Sequence, residues 1–76
     1  MKNPQMIIDL HAEFICRRYA MLKGITQDLA LETFLGSKTY ETLADTETGL
    51  CFEMAEAVYE MFLDEVGEVD ELQTVN

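Results

Sequence analysis

Apolar side chains recur every three or four residues through most of this 76-residue chain, the period of an amphipathic helix and not the alternation of a strand. The first run carries Ile7, Leu10, Phe14 and Met21, with Ile15 and Leu22 widening the stripe. Both ends are marked. Asn3 suits an N-cap, Pro4 takes the first helical position, where its missing N–H does no harm, and Gly24 closes the far end. Arg17, Arg18 and Lys23 fall in the last turns, where cations suit the helix dipole.

A second helix is predicted from the N-cap Thr26 through Gln27 and Asp28 to a stop at Gly36. Leu31, Phe34 and Leu35 supply its apolar face, and Ile25 can pack on Ala30 as a hydrophobic staple. Ser37 looks like a further N-cap, opening a short helix over 38–43 with Tyr40 and Leu43 inward. Residues 44–49 are turn chemistry, short polar side chains ending in Gly49. Leu50-Cys51-Phe52 fits either a brief extended link or the first turn of the next helix. The last helix is predicted over 53–66, stopping at Gly67, with Met54, Val58, Met61, Phe62 and Val66 buried and Ala55 and Leu63 at the margins. The expected fold is therefore all-α: a compact bundle of three main helices plus one short helix, one domain over 1–67. A flexible acidic tail is expected over 68–76.

Composition narrows this picture. A chain so short buries about 60% of the surface its unfolded form exposes, and an apolar content of 49% is enough for a core while leaving apolar groups uncovered. No run approaches the roughly 20 apolar residues of a membrane span. Asp9, His11 and Glu13 interrupt the stretch that would otherwise resemble a secretory h-region. A cytoplasmic protein with free thiols at Cys16 and Cys51 is expected.

Charge changes the picture most. Residues 1–40 hold five bases and four acids, 5 − 4 = +1, whereas residues 41–76 hold eleven acids and no base, which gives the total of −10. Such a field repels nucleic acid and anionic membranes and favours a protein partner with a basic surface. Glu53, Glu56, Glu60 and Asp64 are spaced three or four apart, so they line one side of a helix. No lysine or arginine lies four residues from any of them, and each like-charge i,i+4 pair costs about 0.2–0.5 kcal/mol. A stripe that costs local stability is a candidate partner-binding face, against the plainer reading of a solvated face that keeps the protein soluble. Tyr40 and Tyr59, with Tyr19, are the aromatic candidates for partner contact, because their rings suit half-wet interfaces.

Other chemistry finds little material. His11, Cys16 and Cys51 are three ligand types without ligand spacing, since His11 and Cys16 do not share a helical face and no CxxC or HxxxH pair exists. The Asp45–Leu50 stretch places its glycine one position too early for a calcium-binding EF-hand loop. Ser37 is the sole serine and serves as a cap, and no glycine-rich phosphate loop is present. Neither catalytic residues, nor a metal, nor a cofactor is expected.

The segments Ser37-Lys38-Thr39-Tyr40-Glu41, Asp45-Thr46-Glu47-Thr48-Gly49-Leu50 and Val58-Tyr59, with the Phe14–Lys23 helix and the Gly24-Ile25 corner, carry a family resemblance. Over roughly residues 12–66 the chain resembles a group of small bacterial helical proteins catalogued as a domain of unknown function. Members are often encoded beside a domain that resembles ADP-ribosyltransferases. The resemblance implies a toxin–antitoxin or enzyme–regulator pairing and brings no catalytic residues.

The function expected is an acidic protein-binding module without catalysis, an antitoxin-like or regulatory partner of a basic protein or enzyme. One alternative is a phage- or plasmid-type inhibitor of a nucleic-acid enzyme that acts by charge mimicry. Another is a homo-oligomeric helical module.

Overall fold

Thr26 and Ser37 start helices by the same chemistry. Each hydroxyl oxygen accepts from the N–H three residues on, Leu29 at 3.2 Å and Tyr40 at 3.0 Å, which satisfies a donor that the helix itself leaves unpaired. In a computed structural model, which describes residues 4–70, the chain forms four α-helices: α1 (Pro4–Lys23), α2 (Gln27–Leu35), α3 (Lys38–Ala44) and α4 (Ala55–Val66). Two 3₁₀ turns, Thr46–Thr48 and Leu50–Phe52, join α3 to α4. The fold is all-α, with no strand among the described residues.

The two long helices end alike. Gly24 and Gly67 sit in the left-handed region at φ 67 and φ 74. The residue after each donates its N–H five positions back, Ile25 to Ala20 and Glu68 to Leu63. This left-handed closure favours glycine, and it turns the chain sharply enough for α2 to follow α1 after only Gly24, Ile25 and Thr26.

The core is aromatic at its centre. Tyr19 of α1 meets Phe62 of α4 at 4.9 Å between ring centroids, Phe62 meets Phe34 of α2 at 5.1 Å, and Phe34 meets Tyr40 of α3 at 5.5 Å, all edge to face. One chain of rings thus ties all four helices, and such pairs add about 0.5–1.5 kcal/mol each beyond their buried area. Ile8, Ile15, Leu43, Cys51 and Val58 close around it.

In α1 the buried face runs through Ile8, Ile15, Cys16, Tyr19 and Ala20, while Leu10 and Met21 are exposed. Two stripes of helical period coexist in this apolar-rich helix, and the one carrying the small residues Cys16 and Ala20 lets neighbours approach closely. Leu50–Phe52 is neither extended nor the start of α4; it is a separate 3₁₀ turn. Glu53 and Met54 follow it in extended conformation, so α4 begins at Ala55 and not at Glu53. Met54 and Met61, expected in the core, are exposed. Nor does the packed chain end at Gly67, because Asp70 is buried. The remainder of the expected tail, 71–76, lies outside the described residues.

Candidate functional site

The twelve residues of α4 bury Val58, Tyr59, Phe62 and Leu63, so helical geometry turns Glu56, Glu60 and Asp64 to the opposite side. All three are exposed. Glu53 is exposed as well but stands outside the helix, so the four carboxylates do not form one regular stripe. Beside Glu60 and Asp64 lie Met54, Ala57 and Met61, at helical spacing and all exposed. The outward face of α4 is therefore mixed, with carboxylates along one edge and flexible thioethers along the other.

The bases near this region are engaged elsewhere. Arg17 pairs with Glu13 at 2.8 Å on α1 itself. Lys23 donates to Glu68, and that bond holds its ammonium above the ordinary lysine range. Arg18 lies 3.6 Å from Asp70, and its guanidinium sits over the rings of Phe14 and Tyr59 at 5.6 and 5.4 Å. Among the described residues no hydrogen bond or ion pair reaches the side chains of Glu53, Glu60 or Asp64.

Glu65 behaves differently from its neighbours. Its carboxylate accepts from the Lys38 N–H at 2.7 Å, the Thr39 N–H at 2.9 Å and the Thr39 hydroxyl at 2.8 Å. A side chain of α4 thus caps the N-terminus of α3, where an anion also suits the helix dipole. These bonds, led by that from Lys38, hold the Glu65 carboxyl below the usual carboxylate range. With Ser37 covering the N–H of Tyr40, the first three N–H groups of α3 are all satisfied.

Of the aromatic candidates, Tyr40 is half-buried, and its hydroxyl has no hydrogen-bond partner among the described residues. Tyr59 and Tyr19, expected at a partner surface, are instead buried. Tyr59 is fully buried, with its hydroxyl donating to Asp70 at 2.7 Å. Burial first, then the bond to Asp70, pushes its phenol well above the ordinary tyrosine range. Tyr19 is buried against Phe62. Neither ring is available to a partner surface.

The nitrogens of His11 face the Ile7 carbonyl at 3.0 Å and the Glu53 carbonyl at 2.7 Å, which fastens α1 to the link before α4. Cys16 and Cys51 are buried, unpaired thiols. Among the described residues no group of three or more histidine, cysteine or acidic side chains converges as metal ligands would, and no helix is long and apolar enough to cross a membrane.

Two features of this region carried no signal along the chain. Asp70 follows Tyr59 by eleven positions and lies beyond the helix stop, and Glu65 meets partners 26 and 27 residues earlier. The class that fold and surface define is a small all-α protein with an acidic outward face. Comparison with protein-family models, with curated proteins and with solved structures finds no match to this chain.

Proposed function

We propose that this protein is a non-catalytic acidic binding module whose α4 face, centred on Glu60 and Asp64 and flanked by Glu53, Glu56, Met54 and Met61, meets a basic surface on another protein. One observation carries this reading. The described arginines and Lys23 pair with Glu13, Glu68 and Asp70, and no donor or base among the described residues reaches the side chains of Glu60 or Asp64. Uncompensated surface charge of one sign raises the encounter rate with a surface of the other sign and fixes its orientation. The exposed methionines beside it offer apolar contact that adapts to the partner's shape.

The resemblance to small bacterial proteins encoded beside ADP-ribosyltransferase-like domains favours a narrower version, an antitoxin-like or regulatory partner of an enzyme. An enzyme that binds a polyanionic dinucleotide needs a cationic cleft, and carboxylates can occupy such a cleft competitively. Nucleic-acid mimicry has less support. One carboxylate per helical turn of about 5.4 Å is sparse beside one charge per roughly 1.7 Å of duplex. Glu65 and Glu68, which would be needed to fill the gaps, are bonded within the molecule.

The test is capture of the adjacent gene's product by the wild-type chain and by a Glu60→Gln, Asp64→Asn variant, each at low and high salt. Wild type is expected to retain the partner at low salt and release it at high salt, and the variant is expected to retain much less. Equal retention by both chains, or association indifferent to salt, overturns the assignment to α4.

A further inference from the structure

Away from α4, the flank of α2 is left incompletely covered. Leu31 and Leu35, one helical turn apart, stay 39% and 47% exposed. They line an open trough with Ala12 of α1 and Tyr40 of α3, and Asp9, Glu13, Gln27 and Asp28 form its rim. The trough continues past Leu35 and Tyr40 toward Glu41 and Ala44 of α3. Its floor is apolar and its margin carries four carboxylates, Asp9, Glu13, Asp28 and Glu41, against the single ammonium of Lys38. Arg17 offsets the charge of Glu13, whereas Asp9 accepts from the neutral amide of Gln5 and keeps its charge, so the margin stays net negative. Tyr40 lines both parts of the trough, and its hydroxyl is unpartnered among the described residues.

We propose that this trough between α1, α2 and α3 is a second docking surface, and that its occupant is a cationic amphipathic helix of another protein. An apolar floor flanked by like charges is complementary to a helix whose apolar stripe is bordered by lysine and arginine. Residues four apart on such a helix are separated by about 6 Å along its axis, as Leu31 and Leu35 are along α2. The Tyr40 ring supplies apolar area, and its hydroxyl can bond a polar group at the margin. A second copy of this chain is a poor occupant, because each copy brings a net charge of −10 to a margin that is already negative. Nucleic acid is repelled for the same reason. The surface is separate from the α4 face: no α4 residue lines it, and α2 turns Phe34, not Leu31 or Leu35, toward Phe62.

The experiment is a titration of the ¹⁵N-labelled full chain with a synthetic helical peptide of about 15 residues, bearing leucines at i, i+4 and i+7 with lysines on both borders. A control peptide replaces the leucines by serine at the same charge. Amide shifts are expected at Ala12, Leu31, Leu35 and Tyr40, saturating for the leucine peptide only. Leu35→Lys is expected to weaken binding by about tenfold or more, an anchor-sized effect, and Asp28→Asn to weaken it less and mainly at low salt. Both positions are exposed, and the spectrum of each variant reports directly that it has folded. Glu60→Gln with Asp64→Asn should leave this binding within about twofold, as distant sites do. The proposal is overturned if the serine peptide binds as tightly, if the shifts centre on Glu56, Glu60 and Asp64, if Leu35→Lys has no effect, or if the leucine peptide does not bind. The α4 reading survives every one of these failures, since it rests on capture of a different partner by a different face.

Discussion

Carboxylates from the last quarter of the chain form two sets with opposite consequences. Glu65, Glu68 and Asp70 each meet named donors: the α3 N-terminus, Lys23, and the pair Tyr59 and Arg18. Glu60 and Asp64, on the same helix as Glu65, face solvent and have no such donor among the described residues. Residue type and local sequence hardly differ between the sets; Asp64 and Glu65 are neighbours. What differs is whether the helix turns the side chain toward another element's N–H groups or away from them. The inward set stabilises the fold and the outward set strains it slightly, so substitutions in the two sets should differ in sign.

The largest effect is expected at Asp70. Removing its carboxylate by Asp70→Ala leaves the buried Tyr59 hydroxyl without its acceptor and Arg18 without its anion. Loss of a partner that leaves a buried polar group unsatisfied costs about 1–3 kcal/mol, a large share of the stability of a 76-residue domain. The midpoint of urea unfolding should fall accordingly. A second readout is the Cys16 thiol, which burial pushes up to about 11. At neutral pH it should react with alkylating reagents only when the core opens, and Asp70→Ala should speed that reaction. An unchanged midpoint and labelling rate would show that the Asp70 carboxylate contributes nothing to the fold, and the contrast between the two sets would lose its strongest member.

Glu65 should come next. Glu65→Ala uncovers the N–H groups of Lys38 and Thr39, and loss of a capping side chain costs about 1 kcal/mol. The sign of its pH dependence is fixed by the direction of its shift. The folded carboxyl is held below its ordinary value of 4.5, so its contribution is complete above that value and disappears as pH falls through the lower, folded value. The stability difference between wild type and Glu65→Ala, measured by denaturation across acid pH, should therefore be constant near neutrality and shrink below the ordinary range. A difference that grows on acidification would mean that Glu65 does not act as an ionised cap.

Much of the helical frame was legible because its signals are local. Thr26, Ser37, Gly24 and Gly67 act through bonds within five residues, and each does in the fold what its neighbours along the chain imply. The stripe phases in α1 and α4 were less legible. Apolar side chains surround much of α1, so Leu10 and Met21 fit a helical period as well as Ile8 and Ile15 do, and only packing against the other helices selects between them. Helical spacing includes Met54 in a helix that starts, in the fold, one residue after it. For the candidate surface, the exposed acids Glu56, Glu60 and Asp64 follow from spacing alone. The burial of Tyr59 and the trough at Leu31, Leu35 and Tyr40 depend on which elements meet, which no local pattern encodes.

The smallest expected effect carries the opposite sign and therefore tests the contrast most sharply. Glu60 belongs to two like-charge pairs at i,i+4 spacing, with Glu56 before it and Asp64 after it. Each such pair costs about 0.2–0.5 kcal/mol on an exposed helix. Glu60→Gln relieves both at once while keeping the shape and helix preference of the side chain, so it should raise the unfolding midpoint by an amount equivalent to several tenths of a kcal/mol. Added salt screens exposed charges over a Debye length of about 10 Å at 0.1 M, and the gain from Glu60→Gln should fade as ionic strength rises. A loss of stability in Glu60→Gln at low salt would mean that Glu60 is held by the fold, like Glu65, and the outward face of α4 would no longer be a surface left for a partner.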